Sequence, residues 1–376
     1  MSSEYQYPNE PHRFTSHHIE QLLAFCTEKG ASDITLQTAE PIIAEIHGKL
    51  YKITRRKLSN GEVSDILNGI YGPNGTTQVL SGQDVDTHYE FRPTRSSRFR
   101  FRVNGTGCQV EGHAGIQLTL RTIPTYPPDL STLNLPKPVL DAIAPEDGVV
   151  YVCGATGSGK STLLAAIIKE IAKDPNSHRK ILTYEAPIEF VFDAIDKPTA
   201  IVSQSEIPMH LPSFAAGVRN ALRRKPRLIL VGESRDTETI SAVLEAALTG
   251  HPVYTTVHSN GVAETLRRLV GAFPPEELQA RTIDIIETIR LVIWQKLVPT
   301  VDGKRVALRE YLVFDEDTRD QLLSVDPEKV TAITRRLVNE RGQPMIKDAE
   351  QKFNEGIISE REYNLLVRSS RSSESG

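Results

Sequence analysis

The most constraining feature of the chain is eight residues long. Gly154-Ala155-Thr156-Gly157-Ser158-Gly159-Lys160-Ser161 fits the pattern G-x4-G-K-[ST] at every position. An apolar run, Val149–Cys153, precedes it, and Ser161–Lys173 follows with Leu164, Ile167, Ile168 and Ile171 at helical spacing. A strand that turns sharply into a helix presents successive backbone N–H groups, and the positive helix end, to one anion. The bare pattern would arise by chance in a chain this long about one time in a hundred, and its flanks make coincidence rarer. The reading is a nucleoside triphosphate site. Gly154, Thr156, Gly157, Ser158, Gly159 and Thr162 contribute to the cradle, Lys160 reaches the β and γ phosphates, and the Ser161 hydroxyl is the expected Mg²⁺ ligand.

The alternation of strand and helix continues around this loop. Ile181–Tyr184, Leu228–Val231 and Val253–Val257 are short apolar runs of the kind buried on both faces of a parallel sheet, and Thr237–Leu248 is helical, closed by Gly250. Residues 139–314 are therefore expected to form a doubly wound α/β core. Residues 14–123 read as a smaller α+β domain, with a helix at His18–Cys26 and strands at Asp33–Leu36, Ile42–Ile46, Phe99–Val103 and Gln117–Thr122. Asn60-Gly61 and Asn104-Gly105 read as turns. Prolines 124, 127, 128, 136 and 138 mark 124–138 as an interdomain linker. Residues 315–368 are helical and charged, and 1–13 and 369–376 read as flexible ends.

Composition narrows the function classes. The 44 basic and 48 acidic residues leave a net charge of −4, which argues against nucleic acid as the main partner. No apolar run approaches the ~18 residues that span a bilayer. The start, MSSEYQYPNEPHRF, has neither the basic nor the apolar part of a secretory signal. Cys26, Cys108 and Cys153 are too few and scattered for a disulfide framework or a four-thiolate zinc site. A reduced, cytoplasmic, multi-domain chain is expected.

Ligands of open α/β sheets sit beyond the carboxyl ends of the strands, and three candidates emerge there. Glu233 ends the run Leu228–Val231 and could hold Mg²⁺ through water or polarise the attacking water. Glu185 ends Ile181–Tyr184 and could take a proton from water during in-line attack. Glu189, four residues on, has the weaker claim, pairing with surface lysines being the plainer reading. His258 ends Val253–Val257 and could report on the γ phosphate, whereas His251 precedes that run; seven residues apart, they would not share a metal. For either histidine a structural role is about as good a reading. Arg95, Arg98, Arg100, Arg102 and Arg121 form either a solvated or anion-binding strand face or a source of arginine fingers.

Taken jointly, these motifs resemble the secretion and pilus motor ATPase superfamily, and within it the PilT-like and DotB-like branches. The residues that carry the likeness are Ala31–Gln37, Arg100–Asn104, Arg121–Pro124, Gly154–Thr162, Pro187–Phe190, Ile229–Asp236, Thr249–Asn260 and Phe273–Glu277, in order along the chain. The resemblance implies a RecA-like core, a PAS-like amino-terminal domain and a helical carboxyl-terminal extension. It implies ATP and Mg²⁺ as ligands, Glu185 as base, Glu233 as a metal organiser acting through water, and Arg102 and Arg121 as arginines that reach nucleotide. It also implies a homo-hexameric ring, a hinge at the proline linker, and recruitment to inner-membrane secretion components. Ala186 replaces the aspartate usual in the acidic box, Lys225-Pro226-Arg227 replaces an acidic segment, and the retraction motors' Ala-Ile-Arg signature is not evident. These departures favour ATP-driven type IV (Dot/Icm-like) secretion over pilus retraction. A nucleic-acid-stimulated motor, or a scaffold that only binds ATP, are the further alternatives.

Overall fold

The computed structural model describes residues 3–94 and 97–374. They form two compact units that part between Thr125 and Tyr126. In the first, strands β1 (Ala31–Gln37), β2 (Ile43–Ile46), β3 (Lys49–Lys52), β4 (Val85–Phe91), β5 (Phe99–Val110) and β6 (His113–Thr122) make an antiparallel sheet in the order β3-β2-β1-β6-β5-β4. Alternation along the strands puts Ile34, Leu36, Phe101, Val103, Leu118 and Leu120 in one core with Ile19, Leu22 and Leu23 of helix α1 (Ser16–Glu28). Helices α2 (Asn60–Tyr71) and α3 (Gly75–Leu80) complete this unit.

Two turn signals are overridden here. Asn60-Gly61 opens α2, because Ser59 caps it: the Glu62 amide donates to Ser59 Oγ (3.3 Å) and the Ser59 amide to the Glu62 carboxylate (3.0 Å). Asn104-Gly105 lies inside β5, where a Cβ on Gly105 would come within 2.9 Å of Leu118. The expected flexible start is also tied down. The Tyr7 amide donates to Ile53 O (2.9 Å), Tyr7 is buried, and Glu10 accepts from the Arg55 and Arg56 amides.

The second unit holds a seven-stranded sheet of β7 (Gly148–Cys153), β8 (Lys180–Glu185), β9 (Ile201–Glu206), β10 (Leu228–Val231), β11 (Pro252–Val257), β12 (Ile289–Pro299) and β13 (Arg305–Val313). Its order is β13-β12-β7-β11-β10-β8-β9, parallel throughout except for β13, which runs antiparallel to β12. Helices α4 (Lys137–Ala142), α5 (Lys160–Lys173), α6 (Phe214–Ala221), α7 (Thr237–Leu248), α8 (Val262–Val270) and α9 (Leu278–Thr288) accompany it. Two apolar clusters line the sheet, one with Ile167 and Ile168 of α5, the other with Val243 and Leu244 of α7, as a doubly wound core requires. Helices α10 (Glu316–Leu323), α11 (Pro327–Arg341), α12 (Met345–Asn354) and α13 (Glu360–Glu374) follow, so helix continues into the segment expected to be a flexible tail. The expected linker is shorter than 124–138. Leu130 and Leu135 are buried in the second unit, and Lys169 Nζ donates to Pro127 O and pairs with Asp129, each at 2.9 Å.

Glu62 is the centre of a buried polar knot in the first unit. It is 3% exposed and accepts from Arg56 (2.6 Å), the Phe14 amide (2.8 Å) and the Ser59 amide. Burial alone would raise its pKa, but these donors win and hold it at about 2. A carboxylate depressed in the fold contributes stability above its unfolded value and loses it as pH falls towards its folded one. Glu62→Gln should therefore cost the first unit about 3 kcal/mol at neutral pH. In urea unfolding, the wild-type advantage over this variant should vanish between about pH 5 and pH 2. An advantage that stays constant across that range would contradict the assignment.

Candidate functional site

The phosphate loop joins β7 to α5 and is pressed against β12. Gly154 has φ +144°, and a Cβ there would lie 2.3 Å from Gln295 O; Gly159 has φ +84°, and its Cβ would meet Gln295 Nε2 at 2.8 Å. Both positions combine a left-handed backbone with contact against a neighbouring strand, so glycine is required twice over. Lys160 is 8% exposed and donates to Gly154 O and Ala155 O, each at 2.9 Å. Burial pulls its pKa below the ordinary value, while the charges of Glu233 and Glu189 pull it back. Ser158 Oγ is buried without a hydrogen-bond partner among the described residues. Cys153, just before the loop, donates to Ile293 O, and burial pushes its thiol up to about 11, which makes it inert.

The strand order places the remaining groups. β11 lies between β7 and β10, so His258 leaves the sheet between the loop and Glu233. His258 Nε2 is 3.5 Å from Glu233 Oε1, and each side chain is about one-third exposed. Burial, and then the charge of Lys160, push the His258 pKa down; Glu233 acts the other way and Arg268 adds to the depression. The ring is thus neutral at pH 7, and its contact with Glu233 is a polar contact and not an ion pair. A cavity of about 530 Å³ opens beside the loop, lined by Gly154, Ala155, His258, Ser259, Asn260, Glu264, Arg267 and Arg268.

The two box acids stand on either side of Pro187. β8 is three places from β7, about 14 Å across the sheet, so Glu185 starts well away from the loop. Its carboxylate accepts from Thr183 Oγ1 (2.6 Å) and Gln204 Nε2 (3.1 Å). Glu189, two residues beyond Pro187, adds its charge to the field on Lys160.

Arg102 and Arg121 stand opposite each other on β5 and β6, in one cross-strand row with Asp33 and His88. Arg102 pairs with Asp86 (2.8 Å) and Arg121 with Asp33 (2.9 Å), both guanidinium groups being more than half exposed. Arg98 and Arg100 share Glu90, and Arg95 lies outside the described residues. His251 is at the far end of β11 from His258, about 20 Å away, and contacts Ala246 O (3.1 Å) at the end of α7. That contact gives it a place in the helix terminus rather than at the loop.

A family model described as "Type II/IV secretion system protein" matches residues 10–307. The chain belongs to that family. This secretion-family chain is 65% identical to the ATPase DotB of Legionella pneumophila in its X-ray structure, over 96% of this chain and 98% of that one, with a TM-score of 0.86. A crystal structure of the pilus retraction motor PilT with bound ADP matches at 29% identity over 92% of this chain and 95% of that one, with a TM-score of 0.79. The PilT retraction ATPase of Pseudomonas aeruginosa is 34% identical over 295 residues, 78% of this chain and 82% of that protein. The expectations of a secretion and pilus motor ATPase and of a parallel-sheet α/β core stand. No helix among the described residues is long and apolar enough to cross a membrane.

The oxygen donors of this family member suit Mg²⁺. Ser161 is the second residue of α5, and the Glu233 carboxylate is 28% exposed; hydroxyl and carboxylate are hard ligands of the kind that ion takes alongside phosphate oxygens. Gln295, Arg267 and Arg268 are the residues that sequence reasoning missed. A lone glutamine within the apolar run Leu291–Val298 was the available signal for the first. In an NMR titration the His258 ring should protonate below pH 6.5. Arg268→Ala should raise that midpoint, because a cation opposing imidazolium formation is gone. A wild-type midpoint above 6.5 would be incompatible with this geometry.

Proposed function

We propose that the chain is a Mg²⁺-dependent ATPase that powers a type IVB secretion system. In this reading it works as a homo-hexameric ring, recruited to the cytoplasmic face of the inner membrane by secretion components. The observation that carries the catalytic half is the group around Lys160: a buried ammonium at a helix start, with Glu233 and Glu189 acting on it and His258 beside Glu233. The likeness to DotB over 96% of the chain supports the secretion half. The likeness to PilT ATPases supports pilus retraction as the second reading, with the same chemistry and a different partner.

The chemistry is mostly positioning and charge stabilisation. The N–H groups of the loop and the start of α5 hold the phosphates. Lys160 exchanges its two loop carbonyls for β and γ oxygens, a step helped by its incomplete stabilisation in the buried site. Ser161 would hold Mg²⁺ directly and Glu233 through water, and the ion would neutralise charge on the phosphate oxygens. Glu185, at the carboxyl end of β8, is the proposed base, and Glu189 adds a second negative charge that acts on Lys160. Neutral His258 can accept or donate a hydrogen bond as the γ phosphate separates. Arg102 and Arg121 are proposed to reach phosphate once copies assemble, since surface ion pairs of this kind are worth only about 0–1 kcal/mol.

Phosphate release by the full chain tests the assignments. Lys160→Gln should abolish turnover. Glu185→Gln should lower kcat about a hundredfold or more while retaining ADP binding, and Glu189→Gln should cost less than about tenfold. The reverse order for the two glutamates would move the base role to Glu189. Turnover by Lys160→Gln near the wild-type rate would remove the site altogether.

A further inference from the structure

A buried polar chain connects the phosphate loop to the carboxyl-terminal helices. Gln295 of β12, 3% exposed, donates from Nε2 to Ser158 O at 2.7 Å. Its Oε1 accepts from Arg309 Nε at 2.9 Å, and the two residues are direct cross-strand partners of β12 and β13. Arg309 is 4% exposed; its Nη1 donates to Leu133 O (2.8 Å) and its backbone amide to Asp348 Oδ2 (2.7 Å). Asp348 belongs to α12, is 7% exposed, and accepts from Lys352 Nζ through its other oxygen at 2.5 Å.

We propose that Gln295 and Arg309 are positioning residues for the phosphate loop, and that α12, through Asp348, sets how tightly the loop holds nucleotide. The reason lies in one peptide plane. In a trans peptide the C=O and the following N–H point in opposite directions. Holding Ser158 O against the Gln295 amide therefore turns the Gly159 N–H the other way, out of the strand and into the concave side of the loop. That N–H is one of the donors a phosphate cradle requires. The side chain has little freedom to hold it otherwise, because the loop already lies in van der Waals contact with β12 at Gly154 and Gly159.

The next residue of β13 makes a parallel connection. Glu310, on the opposite face of the strand, accepts from the Val262 amide at 2.8 Å and from the Met345 backbone. Val262 starts α8, four residues after His258, and Met345 starts α12. The first turn of α12 and its Asp348 thus grip two successive residues of β13, one leading to the phosphate loop and the other to the helix beside His258.

The inference rests on the phosphate loop being the nucleotide site, and the experiment separates the two. Binding of fluorescently labelled ADP with Mg²⁺ to the full chain is measured for wild type, Gln295→Met, Gln295→Glu, Asp348→Ala and the double variant Gln295→Met/Asp348→Ala. Each single variant should weaken binding about tenfold, Gln295→Glu included, because it keeps the acceptor for Arg309 but loses the donor to Ser158 O. The double variant should be little weaker than Gln295→Met, since the two act in series. Fold effects that multiply, or wild-type affinity in the singles, would overturn the relay while leaving the nucleotide site in place. A wild-type chain that binds no ADP would remove both. If a variant fails to fold, hydrogen exchange of the wild-type chain decides: ADP should slow exchange in α12, by reciprocity of coupling, and unchanged α12 amides would refute it.

Discussion

The phosphate loop lies against β12 with no room for a side chain at Gly154 or Gly159, and the rest of the second unit is arranged around that contact. Because the loop backbone is fixed on one side by a strand, its N–H groups can face a ligand on the other. β12 can occupy that position only because β7 pairs with it in parallel, which places both carboxyl ends at the same edge of the sheet. The antiparallel β13 then covers the outer side of β12 and returns the chain to the helices that follow. A single close approach thus couples backbone conformation, strand order and ligand geometry.

Charge in this site is governed by burial more than by pairing. Lys160 and His258 are both pushed towards their neutral forms by loss of water, and each is partly restored by Glu233. The outcome differs between them because their ordinary values differ. A lysine can lose some of its stabilisation and still be a cation at pH 7, whereas a histidine pushed down from 6.5 is neutral. The same environment therefore weakens the charged form of both groups, the lysine from a high ordinary value and the histidine from one already near neutrality. Inserting β11 between β7 and β10 is what sets the two side by side.

Much of this was legible in the sequence because short-range physics determined it. The loop, its flanking strand and helix, and the runs that became β8, β10 and β11 were marked by glycine placement and by apolar runs of strand length. Other features depended on contacts that local patterns do not carry. Asn60-Gly61 looked like a turn until Ser59 and Glu62 capped a helix there, and Gly105 proved to be a strand residue needed beside Leu118. Tyr7 and Glu10 sit in a segment of ordinary polar composition, yet each finds a partner near residue 55. Within the site, Lys160 and Ser161 follow from the loop pattern, and Glu233 and His258 from strand ends. Gln295 and Arg309 carry no motif, and only the pairing of β12 with β13 brings them together.

The helices after β13 have an apolar cluster of their own, in which Met345, Ala349, Ile358 and Leu366 pack on Val298 and Leu308. This region is the least recognisable part of the chain by motif, yet it is anchored on the strands that back the phosphate loop. The groups assigned to the phosphates all lie outside these helices. Such an arrangement separates what a motor burns from what it obeys: new control could be acquired at the periphery while the hydrolytic machinery stays as it is.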